Sequence, residues 1–361
     1  MAFSFETILK TIKGNGAKQP DRVVGIDIGS ASIKVVELEK AEQVITLRTY
    51  GELQLGPYAD ASLGSAVKLS EEQKIEALVD VIREAGVQAT SGILSMPLSS
   101  SFVTIIPVKT AGNETLETKI PVEARKYIPV PLNEVTLDWS ELVKHEGDAS
   151  PSTEVLLAAI QNDSLHSYTK IMAALSMTSQ PSEIEVFGSI RSLVTAEADC
   201  LAIIDIGATL SKLYIIRDGA LERIHRVSTG GAAITDKLAT LLQVPFVEAE
   251  NIKRLAAADS AHHTEIKKVT TALLRPAFQE FSRIMQQYEA RMNMPIAATQ
   301  LVGGAALGVG VRALATEVIG REVVQGRPFD KVAYPAFMED TLESLGPVFA
   351  TSLGAALRPF Q

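Results

Sequence analysis

Cysteine is nearly absent from this chain: Cys200 is the only one in 361 residues. A single thiol excludes an internal disulfide and any cysteine-built zinc cage, and it suits a reducing compartment. Cys200 stands just before an apolar run and reads as a small core residue rather than a nucleophile. Positive charge is also short. Lys and Arg total 34 against 43 Asp and Glu, a net charge of −9, so a nucleic-acid partner, which needs clustered cations along the phosphate backbone, is excluded. No run reaches the roughly 18–20 apolar residues that cross a bilayer, and the N-terminus has no long apolar signal core with a cleavage site. The expectation is a cytoplasmic protein that meets a membrane only through a partner or a short surface helix.

Several chemical signatures are missing too. No G-x-x-x-x-G-K-[ST] occurs, and Gly14-Asn15-Gly16 precedes a strand where a dinucleotide turn would follow one. No nucleophile elbow or assignable Ser-His-Asp set is present. His262-His263 has no companions at metal-ligand spacing and reads as solvated.

What is present is a balanced globular composition, 46% hydrophobic and 21% charged. The chain is longer than one core usually serves, so two lobes or more are expected. Residues 1–20 stand apart as a leader, ending in the linker-like Gly14-Asn15-Gly16-Ala17-Lys18-Gln19-Pro20. Within it Phe5, Ile8, Leu9 and Ile12 share one helical face, which leaves open a self-docked tail or a weak helix for a membrane surface or partner.

The most informative feature is an internal repeat. Val24-Gly25-Ile26-Asp27-Ile28-Gly29-Ser30-Ala31-Ser32-Ile33-Lys34 returns in outline as Ala202-Ile203-Ile204-Asp205-Ile206-Gly207-Ala208-Thr209-Leu210-Ser211-Lys212. Each copy is a β-rich run, an Asp-Ile-Gly, a few small residues and a second β-rich run, the pattern of a hairpin. A third strand follows each, over 44–53 and 220–228. Helices are expected over 71–85, 113–127, 165–175, 232–242, 247–258, 265–292 and 305–319. Residues 93–162 depart from the repeat and read as an inserted α/β subdomain. The fold class is therefore α/β with a duplicated, two-lobe plan. The first lobe takes 21–92 and 163–198; the second takes 199–361, with a helical part near 243–298.

A carboxylate at a strand end followed by a glycine turn suits a nucleotide. Turn N–H groups can meet phosphate oxygens, and the carboxylate can hold Mg²⁺ directly or through its waters. Asp27 with Gly29, Ser30 and Ala31, and Asp205 with Gly207, Ala208 and Thr209, are then expected to face each other across a cleft. A third element, Gly303-Gly304-Ala305 after an apolar strand, allows close approach of an adenine or a phosphate, or else close helix packing.

Hairpin, hairpin and Gly-Gly turn in this order resemble the actin-like ATPase superfamily. The stretch from Glu123 through Tyr127-Ile128-Pro129-Val130-Pro131 to Trp139 narrows the likeness, as do Glu154 to Ile160, Glu183 to Phe187 and Phe349 to Arg358. Together they resemble the PilM family of type IV pilus assembly proteins, over nearly everything from Asp21 to Arg358, with the insertion placed as in FtsA.

The resemblance implies an actin-like fold that binds ATP with Mg²⁺. Asp27, Gly29, Ser30, Ala31 and Lys34 would form the first phosphate loop, with Lys34 on the terminal phosphates or simply a solvated strand lysine. Asp205, Gly207, Ala208 and Thr209 would form the second loop, and Asp27 and Asp205 the metal site. Gly303, Gly304 and Ala305 would lie at the adenine. Glu250 and Lys253 would lie at the ribose, or form a plain i, i+3 pair. Glu185 stands where relatives orient the attacking water, and hydrolysis is left open. The implied partners are the cytoplasmic N-terminal tail of PilN and other inner-membrane pilus proteins, with the chain peripheral at the inner face of that membrane. An FtsA-like filament protein is the rival; such proteins carry a C-terminal amphipathic helix that Pro359-Phe360-Gln361 does not supply.

Overall fold

A computed structural model describes residues 20–110, 114–145, 152–179, 183–195, 199–255 and 261–360. The leader's apolar stripe lies outside them.

The chain begins with β1 (Arg22–Ile28), β2 (Ser32–Ala41) and β3 (Val44–Gln54), an antiparallel meander, followed by α1 (Glu71–Glu84) and β4 (Ser91–Met96). Ser70 caps α1 through a reciprocal box with Gln73, which satisfies two otherwise unpaired donors. Strand β4 runs parallel to β1. The insertion contributes β5 (Ser101–Lys109), α2 (Leu116–Ala124), β6 (Val135–His145) and β7 (Ser152–Gln161). Then come α3 (Asn162–Ala174), the two-residue strands β8 (Thr178–Ser179) and β9 (Glu183–Ile184), and α4 (Glu185–Leu193).

The second half repeats the plan. A meander of β10 (Cys200–Ile206), β11 (Ser211–Arg217) and β12 (Ala220–Val227) is followed by α5 (Gly231–Leu242), α6 (Phe246–Leu255) and α7 (His263–Met292). Strand β13 (Ala298–Val302) returns parallel to β10. The chain ends with α8 (Val311–Ile319), β14 (Val324–Gln325), α9 (Glu339–Leu345) and α10 (Ala350–Leu357).

The first sheet has the order β3-β2-β1-β4-β8, with β9 also on β4, and the second the order β12-β11-β10-β13-β14. Strand β10, Cys-Leu-Ala-Ile-Ile-Asp-Ile, is buried along its whole length, as expected of a central strand covered on both faces. Cys200 is 1% exposed within it. The two hairpins share a register: Asp27 faces Lys34 across the first and Asp205 faces Lys212 across the second.

The insertion is a three-stranded antiparallel sheet ordered β5-β7-β6. Because side chains alternate along a strand, β7 serves two cores. Val155, Leu157 and Ala159 pack with Ile120 and Ala124 of α2, while Leu156 and Ala158 join Val186 and Phe187 of α4 and Tyr214 of the second sheet.

Three boundaries differ from the sequence reading. Residues 93–96 belong to β4 of the first sheet, so the insertion starts beyond Met96; an apolar run alone does not say which sheet it joins. The helix expected over 305–319 is broken into a 3-10 turn, Gly304–Leu307, and α8, with Gly310 in the left-handed region at φ 74°. Residues 328–360, assigned by sequence to the second lobe, return to the first. There Phe329, Leu342, Phe349, Leu353 and Phe360 pack on Val23, Val36, Leu38 and Ile93. Small residues permit this return, since α10 presses its backbone against Gly25 of β1 and against Gly188 of α4.

Candidate functional site

The two Asp-Ile-Gly turns have the same construction. Gly29 N–H donates to the Ser32 carbonyl at 3.0 Å, and Gly207 N–H donates to the Leu210 carbonyl at 2.9 Å. The N–H groups of Ser30, Ala31, Ala208 and Thr209 take no part in these closing bonds. The tips meet: Ser30 Oγ lies 3.3 Å from Thr209 Oγ1. The third element is fixed against the second turn. Gly303 has φ 95°, and a Cβ there would lie 2.5 Å from both Asp205 Oδ1 and the Ile206 carbonyl oxygen, so a side chain is barred by strain and by contact.

These elements wall a cavity of about 570 Å³ that every residue expected at the site lines, from Asp27 to Ala305. That volume falls within the few-hundred to about 1,000 Å³ typical of small-molecule and cofactor pockets. Among the expected residues, Glu185, Glu250 and Lys253 stand on helices and have more partners than the sequence showed.

Glu185 is the first residue of α4, where a carboxylate is favoured by the helix dipole. Its Oε1 accepts the Leu98 N–H at 2.8 Å, and its Oε2 lies 2.7 Å from Lys212 Nζ. The same ammonium donates to Asp205 Oδ2 at 3.1 Å. Burial opposes the charge on Lys212, but the carboxylates of Asp205 and Glu185 outweigh it and hold the group protonated well above the ordinary lysine range. Asp27 is different. Burial pushes its carboxyl up to about 6 despite the opposing charge of Lys34. Lys34 itself donates to Ser32 Oγ at 2.8 Å and stands 3.9 Å from Glu52.

At the other end of the cavity Glu250 is buried rather than a surface partner. It accepts from Thr235 Oγ1 at 2.5 Å and lies 2.6 Å from both Lys253 Nζ and Arg254 Nε. Burial would raise its pKa, yet Lys253, Arg254 and Thr235 hold it below the usual value. Lys253 also donates to the Gly231 carbonyl at 3.1 Å, tying α6 to the start of α5. The first lobe reaches this cluster: Gly64, at φ 82°, rests so close to Glu250 that a Cβ would be 2.6 Å from its Cδ. Arg254 Nη2 donates to Gln54 Oε1 at 3.3 Å.

Sequence reasoning missed Lys212, Arg254, Gly64 and the Leu98 N–H as parts of this site. Only Lys212 left a signal, its offset from Asp205 repeating that of Lys34 from Asp27.

The residues fit a phosphate-bearing ligand: two glycine turns with available N–H groups, a lysine at their margin, and a glycine-lined end. They fit a protein-held metal cage less well. Asp205 and Glu185 are already taken by Lys212, and among the described residues no group of three or more His, Cys, Asp or Glu is placed to hold an ion. Also among the described residues, no helix is long and apolar enough to cross a membrane.

Comparison with known proteins follows the same lines. The family described as Type IV pilus assembly protein PilM matches residues 25–360. Among solved structures, the PilM-PilN type IV pilus biogenesis complex has a TM-score of 0.79 at 20% identity, covering 95% of this chain and 100% of that one. The ethanolamine utilization protein EutJ from Carboxydothermus hydrogenoformans has a TM-score of 0.53 at 17% identity, covering 98% and 94%. Two duplicated lobes around one cleft, with an insertion in the first, make this an actin-like fold. Since the family match runs through both lobes and the insertion, the chain belongs to the PilM family of type IV pilus assembly proteins.

Proposed function

We propose that this pilus assembly protein binds ATP in the cleft and the cytoplasmic tail of PilN on its surface, with the nucleotide setting how the lobes present that surface. The observation that carries the reading is the meeting of two equivalent Asp–Gly turns, Ser30 against Thr209 at 3.3 Å, over one cavity.

In this reading Ser30, Ala31, Ala208 and Thr209 offer N–H groups to the phosphates after Gly29 and Gly207 close their turns. Lys34 supplies a point charge to the terminal phosphates. Gly303, Gly304 and Ala305 lie along the base, and Glu250 and Lys253 under the ribose. Asp27 is the carboxylate open to a Mg²⁺ that arrives with the phosphates, consistent with that ion's habit of keeping waters and borrowing phosphate ligands; Asp205 would contribute only after yielding Lys212. Glu185 orients water only if it leaves one of its two present partners, so binding rather than turnover is the activity proposed.

The solved relative is a complex with PilN, which supports PilN as partner here and an address at the inner face of the inner membrane. Adding an extended tail to a sheet edge, with pockets for alternate side chains, is the recognition mode such a partner would use. The groove between the first lobe and the insertion is its proposed seat.

Calorimetry with ATP and with a peptide of PilN's N-terminal tail, each in the presence and absence of the other, tests the reading. Saturable binding of both, with tail affinity changed by ATP, is expected. No nucleotide binding would remove the cleft assignment, and no tail binding would remove the partner.

A further inference from the structure

The insertion is joined by chain to the first lobe and packs on the second. Its connections are two short passages, residues 97–100 leading out from β4 and the step from β7 into α3 leading back. Yet Leu156 and Ala158 of β7 share a core with Ile203, Tyr214 and Leu221 of the second sheet. A change in the angle between the lobes therefore has to be taken up at those passages or in that packing.

The outgoing passage is a 3-10 turn, Leu98–Ser100, closed on itself: the Ser100 N–H and the hydroxyls of Ser100 and Ser101 all donate to the Pro97 carbonyl, at 3.1, 3.0 and 3.1 Å. Leu98 is bonded from outside at both ends of its backbone. Its N–H donates to Glu185 Oε1 at 2.8 Å, and its carbonyl, which also takes the Ser101 N–H, accepts from Arg226 Nη1 at 3.3 Å. Arg226 stands on β12 directly opposite Lys212 of β11, so the two side chains leave the sheet on the same face. Lys212 in turn donates to Glu185 Oε2 at 2.7 Å. A closed ring results, from Glu185 to Leu98, to Arg226, to the neighbouring Lys212 and back to Glu185. Pro97, Ser99, Glu185 and Lys212 line the cleft, whereas Arg226 lies outside that lining. Phosphate oxygens entering the cleft are new acceptors for the Lys212 ammonium, so the partners left to Glu185, and through it the hold on the Leu98 N–H, depend on what the cleft contains. A second tie between the insertion and the second lobe, Arg291 to Glu154 at 3.6 Å, is a partly exposed ion pair of the kind that contributes little.

We propose that the turn over residues 97–100 is the linkage by which the occupant of the cleft shifts the insertion and so changes its affinity for the tail, with Arg226 as the positioning residue that anchors this turn to the second lobe. The linkage rests on the nucleotide and tail binding proposed above and supplies the physical connection between them. Glu185 holds the turn from the cleft side; Arg226 holds it from the sheet.

The test is calorimetric titration of the full chain with the PilN tail peptide, with and without saturating ATP. In the parent, ATP should change the tail's dissociation constant by about tenfold, an ordinary coupling between two sites, and saturating tail should change that of ATP by the same factor. Arg226→Ala should bind ATP alone within about twofold of the parent, while its coupling falls to about twofold or less. Arg226→Lys can still donate to the Leu98 carbonyl and should restore most of the coupling. Independently of any variant, deuterium uptake over residues 97–106 of the parent should change when ATP is added without the tail. Coupling in Arg226→Ala equal to the parent's, or unchanged uptake in the parent, would overturn the linkage and leave both binding assignments standing. A parent that binds both ligands without coupling would overturn it together with nucleotide control of the tail. A parent that binds no ATP would overturn the nucleotide reading and the linkage with it.

Discussion

The first and second hairpins share one local plan, and their charged residues have different fates. In each, an aspartate near the end of the first strand faces a lysine across the ladder, and a glycine closes the turn. Yet Lys34 turns to Ser32 and stays 3.9 Å from Glu52 at the cavity margin, while Lys212 is locked between Asp205 and Glu185. The difference comes from α4, whose first residue is Glu185 and which packs between the lobes against the second sheet. Duplication copied the backbone; the helix delivered to one copy decides what its lysine can do.

The largest expected effect separates the two aspartates. Asp205→Ala leaves Lys212 buried with one carboxylate instead of two. Breaking a buried ion pair by removing one partner costs about 3–5 kcal/mol, and the surviving Glu185 should hold the loss near the lower figure. Asp27→Ala removes no hydrogen bond of this kind and should change stability by about 1 kcal/mol or less. Urea unfolding of both variants checks this. Equal losses would mean that the two hairpins are electrostatically alike and would break the comparison.

The next effect concerns the two lysines as seen by a ligand. Lys34→Ala should weaken ATP binding about ten- to a hundredfold, the range of a charge-assisted hydrogen bond of about 1.5–3 kcal/mol, with almost no change in unfolding midpoint. Calorimetry paired with a thermal melt reads both. Weakened folding with unchanged affinity would reverse the roles assigned to Lys34 and Lys212.

Much of the fold was legible because it is written in local patterns. Two β-rich runs flanking Asp-Ile-Gly read as a hairpin in each half, while the register, Asp27 against Lys34 and Asp205 against Lys212, is seen only in the structure. The glycines at 303 and 304 were legible as a close approach, though not that the second aspartate is what Gly303 approaches. What escaped is set by contacts distant in sequence. Glu185 and Lys212 are 27 residues apart on a helix and a strand that only packing brings together. Gly64 meets Glu250 across the cleft, and nothing near Gly64 in the chain announces a carboxylate. The return of residues 328–360 to the first sheet escaped for a different reason. Helix α10, Ala-Thr-Ser-Leu-Gly-Ala-Ala-Leu, is buried throughout, so it has no polar face to indicate which side meets which core.

The smallest expected effect is a pH dependence carried by Asp27 of the first hairpin. Burial raises the Asp27 carboxyl from its ordinary 3.8 to about 6, so the folded chain holds that proton more tightly than the unfolded chain does. Between about pH 4 and pH 6 the folded state keeps the proton while the unfolded state has lost it, and stability therefore falls as pH rises through that window. Above it the ionised carboxylate remains a cost. Two pKa units correspond to at most about 3 kcal/mol; partial solvent access at the cleft should reduce this to about 1 kcal/mol. Asp27→Asn removes the titrating carboxyl, so the variant should match the parent near pH 4 and exceed it by about 1 kcal/mol at pH 7.5. Asp205→Asn should do the opposite at pH 7.5, because Lys212 then loses a charged partner. Urea titrations at both pH values read the four differences. A stability gap between parent and Asp27→Asn that does not change with pH would show that Asp27 is as well solvated as a surface carboxylate, leaving the ion pairs of Lys212 as the sole distinction between the hairpins.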